Sequence, residues 1–373
     1  MSTLKVAALQ GLSASSDAIT LANDGTCTAN ITNNLSNRNL IINGAMQVAQ
    51  RGTSSTTNGY GSLDRFQVKN TGVDEAPTHA QVDLGSSDLP FTKGLTKALK
   101  VTNGNQTSGA GAADYIQIQQ KIESQNVRNS GWNYTSTSSN ITLSFYARAS
   151  VSQTYFGLIR NHDTSYNYPF SYALTANTWT RVTKTIPGNS NLNFNNDTGI
   201  GIDLRFTLFY GTDYTNNAST VDNWVEVVGG ANETPDQTST WYTTNDATFE
   251  ITGVQLEVGS TATDFEHRSH AQELWLSSRY YQQVWYYRLT GSTSDDNMYY
   301  EDRPFFPHMR AAPSLVAGYD TNNENNFETR AGTTWTEGLP TLITSKTFGA
   351  SVRSIAASRY NSIKGILHYS AEL

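Results

Sequence analysis

The chain has a single cysteine in 373 residues, Cys27, so it can form no intrachain disulfide and no zinc site built from several thiolates. Charge is scarce as well. Asp, Glu, Lys and Arg make up 15% of the residues, where soluble domains average about a quarter. No run of Lys or Arg offers a stripe for phosphates, and the net charge is −7, so nucleic acid is not an expected partner. No apolar stretch approaches the ~20 residues of a membrane helix, so no membrane insertion is expected. The opening MSTLKVAALQGL lacks the basic region, apolar core and cleavage site of a signal peptide. No short motif recurs at fixed spacing, which disfavours a β-helix. There is no Gly-x-Ser-x-Gly elbow and no Gly-rich phosphate loop before a helix.

Asn, Ser, Thr and Gly are abundant instead, and Tyr occurs 20 times. Such a chain solvates its surface with amides and hydroxyls, and its aromatics set it apart from disordered sequences. Period-two alternation recurs. Ile141, Leu143, Phe145 and Ala147 alternate with Thr142, Ser144 and Tyr146. Ile116 and Ile118 alternate with Gln117, Gln119 and Lys121. Strands are read at Leu40–Ile42, Met46–Val48, Ala98–Val101, Tyr115–Ile122, Ile141–Ala147, Tyr155–Arg160, Trp179–Ile186, Ile200–Tyr210 and Trp224–Val228. Many short strands, few helices and Gly/Asn turns predict an all-β fold, a sandwich and not an α/β protein.

The stretch from Phe249 to Tyr281 is the most informative. Phe249 and Ile251 share one parity; Val254, Leu256 and Val258 share the other. A strand changes its buried face only through an extra residue, which places a β-bulge at Gly253. Ser269 then stands three residues before Gln272, the spacing of a capping box. Ala271, Leu274, Trp275 and Ser278 fall on one face of the helix it opens.

These words resemble a known family. GVQLEVGSTATDFEHRSHAQELWLSSRYYQ, with NLIINGAMQVAQRGTSS and GSLDRFQV between Asn39 and Val68, is similar to a module common in tailed-phage fibres and related virion proteins. FPHMRAAPSLVA, from Phe306 to Ala317, resembles it more weakly. The sequence departs from the pattern at Phe66, where such proteins often carry Trp. The resemblance implies a jelly-roll β-sandwich like that of carbohydrate-binding modules, bracketed by the two motifs.

Three regions follow. Residues 1–38 form an extended or hairpin anchor: Ile19 and Leu21, a turn at Asn23-Asp24-Gly25, then Cys27, Ala29 and Ile31. A lone hairpin is marginal in water, so this segment is expected to attach to other virion tail proteins or to copies of itself. Residues 39–268 form the jelly roll. Residues 269–373 hold the short helix and a smaller β unit, with strands at Gln283–Leu289, Met298–Phe306, Ser314–Tyr319, Phe327–Thr336, Thr341–Phe348 and Ile363–Ser370. Loops are expected at Gly291–Asn297 and Asp320–Asn326. Tyr280, Tyr281, Trp285, Tyr286, Tyr287, Tyr299, Tyr300, Phe305 and Phe306 exceed what one small core needs, pointing to a neighbouring subunit or a partner.

Functional residues are sought where aromatics meet amides, because sugar CH faces stack on Trp and Tyr while Asn, Asp and Gln meet the hydroxyls. Candidate glycan contacts are Trp132 and Tyr134 in one loop, His162, Asp163, Tyr166 and Tyr168 in a second, and Asp213 and Tyr214 in a third. The alternative is that Trp132 and Tyr168 plug the sandwich ends. His267, His270, Asp264 and Glu266 straddle a loop-to-helix junction, unlike the two-turn spacing of a metal helix, so no metal is assigned and Arg268 and Glu266 are read as pairing with the sheet. Asp203, Asp213, Asp222 and Glu226 could serve a glycosidase, yet their spacing does not set two of them on one wall. No catalytic residue and no cofactor is assigned. The expected role is a non-enzymatic, homotrimeric tail fibre in the virion, made in the host cytoplasm, binding a host-surface glycan or protein. A head appendage, decoration protein or fibre adaptor, and a capsule depolymerase, are the alternatives.

Overall fold

The structure is a computed structural model. It describes residues 6–10, 17–21, 27–29, 38–216, 219–227, 233–290, 298–319, 328–331, 334–337, 341–355 and 361–373. In 17–18, 27–29, 285–290, 298–303, 317–319, 328–331, 334–337, 341–345, 351–355 and 361–365 it describes the backbone alone. The fold is all-β, as expected. Three short strands open it: β1 (Ala8–Gln10), β2 (Asp17–Leu21) and β3 (Cys27–Ala29), paired antiparallel as β1-β2-β3. The expected hairpin is β2–β3; its turn lies outside the described residues.

Twelve strands then form the sandwich: β4 (Ser54–Ser55), β5 (Gln67–Thr71), β6 (Thr78–Asp83), β7 (Lys97–Thr102), β8 (Tyr115–Glu123), β9 (Asn140–Ala149), β10 (Gln153–Asn161), β11 (Tyr166–Leu174), β12 (Thr180–Pro187), β13 (Ile200–Tyr210), β14 (Val225–Glu226) and β15 (Thr248–Val258). One sheet runs β14-β11-β10-β13-β8-β5 and the other β12-β9-β15-β7-β6-β4. Alternating apolar residues of both sheets meet in one core. Ile116 and Ile118 from β8, Leu143 and Phe145 from β9, and Leu204 and Phe206 from β13 are all fully buried there. Phe66 also joins this core, at 1% exposure. The alternation in β9 does not leave its second face wet. Thr142 and Ser144 are buried too, because residues 259–263 lie across that sheet and Thr142 Oγ1 donates to Gly259 O at 2.7 Å.

The bulge stands where the parity switch placed it. The β15–β9 register breaks between Thr252 and Gln255, and Gly253 has φ 61°. The released Val254 N–H donates to Gly44 O at 3.0 Å, and Leu40 N–H donates to Leu256 O at 2.9 Å. Asn39 completes the clasp: its Nδ2 donates to Val254 O and its Oδ1 accepts from Leu256 N–H. The two stretches that carry the family resemblance therefore grip each other. Leu40–Ile42 and Met46–Val48 are not strands. Asn43 and Met46 have φ of 60° and 58°, so the chain turns here to present backbone groups to the bulge.

After the short helices α1 (Ser124–Arg128) and α2 (Thr240–Thr243), the helix α3 (His270–Ser278) opens with the expected capping box, in which Gln272 N–H donates to Ser269 Oγ and Ser269 N–H to Gln272 Oε1. Its packing differs from expectation. Glu273 and Ser277 are the buried side chains, Ala271 is exposed, and Trp275 is 56% exposed. A polar contact overrides the apolar stripe here: Glu273 Oε2 accepts the buried Asn43 N–H at 2.7 Å. Arg268 and Glu266 pair at 3.3 Å, and Arg268 donates to the carbonyls of Asn39 and Ile41.

The last region holds β16 (Tyr281–Thr290), β17 (Met298–Pro304), β18 (Ser314–Tyr319), β19 (Glu328–Ala331), β20 (Thr334–Glu337), β21 (Thr341–Lys346), β22 (Gly349–Ile355) and β23 (Asn361–Ser370). One sheet runs β16-β23-β19-β20 with β18 also on β23, and the other runs β17-β22-β21. The strand expected over Phe327–Thr336 is the hairpin β19–β20, and β22 was not foreseen. The loops expected at Gly291–Asn297 and Asp320–Asn326 lie outside the described residues. So do the side chains of Trp285, Tyr286, Tyr287, Tyr299 and Tyr300. Tyr280, Tyr281 and Phe305 are buried, whereas Phe306 is 68% exposed.

Candidate functional site

The outer face of the β14-β11-β10-β13-β8-β5 sheet is polar, and its composition follows from strand parity. With Ile116 and Ile118 turned to the core, β8 presents Gln117, Gln119 and Lys121 outward. Registry then sets Gln67, Gln119, Arg205, Leu158 and Pro169 along one rung, and Lys69, Gln117, Thr207, Phe156 and Ser171 along the next. A bulge in β13 between Thr207 and Phe209 adds one residue. That residue returns Tyr210 to the outer face, opposite Tyr115, where strict alternation would have placed Phe209.

The chain after β13 folds back over this face. Gly211 N–H donates to Asp114 O, Asp213 N–H to Ala112 O, and Glu233 N–H to Tyr214 O. Tyr214 thereby meets Tyr115 edge-on at 5.2 Å between ring centroids and lies 5.6 Å from Tyr210. A pocket of about 150 Å³ results, walled by these three tyrosines, floored by Gln117 and Gln119, and rimmed by Lys69, Arg205 and Glu233. At ~30 Å³ per water, it holds a small polar body the size of one ring.

The electrostatics of the floor are nearly closed. Arg205 lies 2.9 Å from Asp203 Oδ2 and 2.7 Å from Glu233 Oε2, and Arg160 lies 3.6 Å from Glu233 Oε1. Burial works against a charge on Asp203, but the Arg205 guanidinium, the neighbouring His162 and the Gln119 amide outweigh it, and its carboxyl falls to about 2. Tyr210 donates its hydroxyl to Gln117 Oε1. Burial raises the Tyr210 hydroxyl well above its ordinary value, so it stays protonated as a donor. Lys69 makes no ion pair among the described residues.

Of the residues singled out from sequence, Tyr214 lines this pocket. Asp213 is exposed beside it. His162 reaches the same sheet face, with Nε2 3.6 Å from Asp203 Oδ2, beyond hydrogen-bonding range. Asp163 is occupied by Ser124 Oγ at 2.6 Å and Asn195 N–H at 3.1 Å. Trp132 and Tyr168 are each 3% exposed, so neither ring offers a face to a ligand. Trp132 donates Nε1–H to Ser139 O and packs with Tyr134 and Phe194; Tyr168 packs on Trp224 at 5.3 Å. Asn161–Tyr168 is not a long loop. β10 runs through Asn161 and β11 starts at Tyr166, the turn closing with Ser165 at φ 57°. Tyr166 is half-buried against the core. Lys69, Tyr115, Gln117, Gln119, Arg205, Tyr210 and Glu233 were missed. The signals were the polar parity of β8 and two tyrosines four residues apart at 210 and 214.

No protein-family model and no curated protein matches this chain by sequence. Among solved structures, similar chains include the enzymatically active domain of tailspike protein 4 of bacteriophage CBA120, at 10% identity and a TM-score of 0.31. That match covers 60% of this chain and 22% of the tailspike, so this chain spans under a quarter of that protein. Another is TmCBM61, solved with β-1,4-galactotriose: 8% identity, TM-score 0.28, covering 60% of this chain and 99% of the module. A third is the family 11 carbohydrate-binding module of Clostridium thermocellum, solved with a mixed-linked tetrasaccharide: 8% identity, TM-score 0.25, covering 58% and 98%.

Proposed function

We propose that this chain is a glycan-binding, non-enzymatic subunit of a tailed-phage virion appendage, a homotrimeric fibre that attaches to the host surface. One observation carries the binding role: three tyrosines and two buried glutamines converge on a pocket sized for a sugar ring. A pyranose lays its CH face on Tyr214 or Tyr115, while Gln117, Gln119, Lys69 and the Arg205–Glu233 pair meet its hydroxyls. Binding is reversible, and trimerisation converts weak contacts into avidity. Placement in the virion is supported by the sequence resemblance, as is anchoring to other tail proteins through residues 1–38.

Catalysis is not part of this reading. A glycosidase needs a carboxylic acid that still carries its proton near neutral pH. Asp203 is held near 2 and is engaged by Arg205 and Gln119, and Glu233, the carboxylate at the pocket, is paired with both Arg205 and Arg160. A purely structural adaptor is the second reading, favoured by the tight charged seam between the sandwich and the last unit.

Glycan-array binding followed by calorimetry tests the proposal. Tyr214→Ala should lower affinity at least about tenfold with an unchanged melting temperature. Full binding by that variant sinks the pocket, no binding by the wild type leaves the adaptor, and release of oligosaccharide from host polysaccharide restores the enzyme. Light scattering that finds a monomer removes the fibre.

A further inference from the structure

At the far end of β8, about 27 Å from Tyr115 at ~3.4 Å per residue, a second concavity opens. It is a cleft of about 680 Å³, within the ~300–1,000 Å³ of small-ligand sites. The short helix α1 (Ser124–Arg128) and its exit supply Asn126, Asn129 and Ser130 on one side. Leu40, Ile42 and Leu276 form its apolar wall. Arg268 and Leu276 also line an adjoining shelf of about 390 Å³, which ends on Trp275.

Two observations point to a ligand. Trp275 is 56% exposed on a helix that buries Glu273 and Ser277 instead, so its ring is offered to the outside. The exposed Asn126 amide makes no hydrogen bond among the described residues. The charge balance selects the ligand class. Arg38 and Arg268 already face Glu257, Glu266 and Glu273 at 3.2, 3.3 and 3.6 Å, so the cleft carries no excess positive charge for an anion.

We infer that the cleft and the Trp275 shelf form a second saccharide site, which takes a neutral oligosaccharide. One ring stacks on Trp275, and a further ring meets the Asn126 amide over the Leu40–Leu276 wall. Two sites at opposite ends of β8 make each subunit bivalent for a repeating surface glycan.

The test titrates the full chain with cellohexaose, xylohexaose and maltohexaose by calorimetry, using Tyr214→Ala to silence the first pocket. That variant should still bind. Adding Trp275→Ala should weaken the remaining binding about tenfold or more, and adding Asn126→Ala instead should weaken it several-fold. Loss of all binding in Tyr214→Ala alone overturns the second site while the first stands. Full loss in Trp275→Ala alone, with Tyr214→Ala unaffected, does the reverse. No effect of Trp275→Ala, no binding of any hexasaccharide to the wild type, or a fall in molar mass of Trp275→Ala, which would mean that a second copy covers the shelf, each overturns it.

Discussion

The sandwich and the unit that follows it hold together by different physics. The sandwich has a large apolar core fed by both sheets and a smaller apolar cluster that includes Leu84, Leu95, Tyr146 and Trp179, whereas the described core of the last unit is Phe305, Met309, Ala350, Leu367, Tyr369 and Ala371. What joins the two is charge and aromatic face. Arg65 pairs with Glu372 and lies 3.4 Å from the Tyr280 ring; Arg51 pairs with Glu372 at 3.1 Å and lies 3.7 Å from the Tyr281 ring. Arg279 and the Tyr280 hydroxyl converge on buried Glu123 at 3.0 and 2.7 Å. Apolar burial has no direction and scales with the area removed from water, whereas a buried charge depends on one particular partner, and removing that partner strands it.

Three experiments would break or sharpen that contrast. The largest effect is expected inside the sandwich, at the clasp. A Cβ on Gly44 would sit 2.1 Å from the Val254 carbonyl oxygen, a backbone atom held by the bulge. Gly44→Ala should cost about 3 kcal/mol or more in denaturant unfolding, and a cost within ~0.5 kcal/mol would mean the clasp yields. Next comes the seam. Glu372→Ala leaves Arg65 and Arg51 without their shared carboxylate, and should cost about 3 kcal/mol. The loss should appear as an early transition of the last unit, with the sandwich transition unmoved; one common transition at lower temperature would make the two regions a single cooperative body.

The smallest effect is in pH. Burial, with the nearby Arg51 charge, depresses His368 from 6.5 to about 4. The folded chain therefore binds fewer protons than the unfolded chain between those values. Stability from this group is present above pH 6.5 and lost as pH falls toward about 4. The early transition should move down by several degrees across that window, and His368→Phe should flatten the dependence. An unchanged slope in that variant would assign the pH response elsewhere.

Local rules carried much of the fold. Ile200–Tyr210 and Ser314–Tyr319 match their strands, Gly253 is the bulge, and Ser269 caps α3. They did not reveal β11, because Asn161–Tyr168 has the polar composition of a loop, while Tyr166, Asn167 and Tyr168 pair with Asn161, Arg160 and Ile159 of β10. At the site, Tyr214 was legible from the aromatic–amide rule, and Trp132 and Tyr168 were read by the same rule although their rings are buried. Composition does not distinguish a ring that plugs a sandwich end from one that walls a pocket; the packing of Phe194 and Trp224 decides.

By itself the sequence determined the all-β class, most strand phases, the bulge and the helix start, because each depends on residues close together in the chain. Only the tertiary structure decided which polar strand face is a floor and what closes over it. Gln117, Gln119, Arg205, Tyr214 and Glu233 are up to 116 positions apart, and strand registry and a second bulge bring them together. The segment from Gly253 to Gln282, the most recognisable in the sequence, is the clasp that holds this frame. The pocket lies elsewhere, and the proposed second site borrows from that segment Val258 of β15, Arg268, Trp275 and their neighbours on α3.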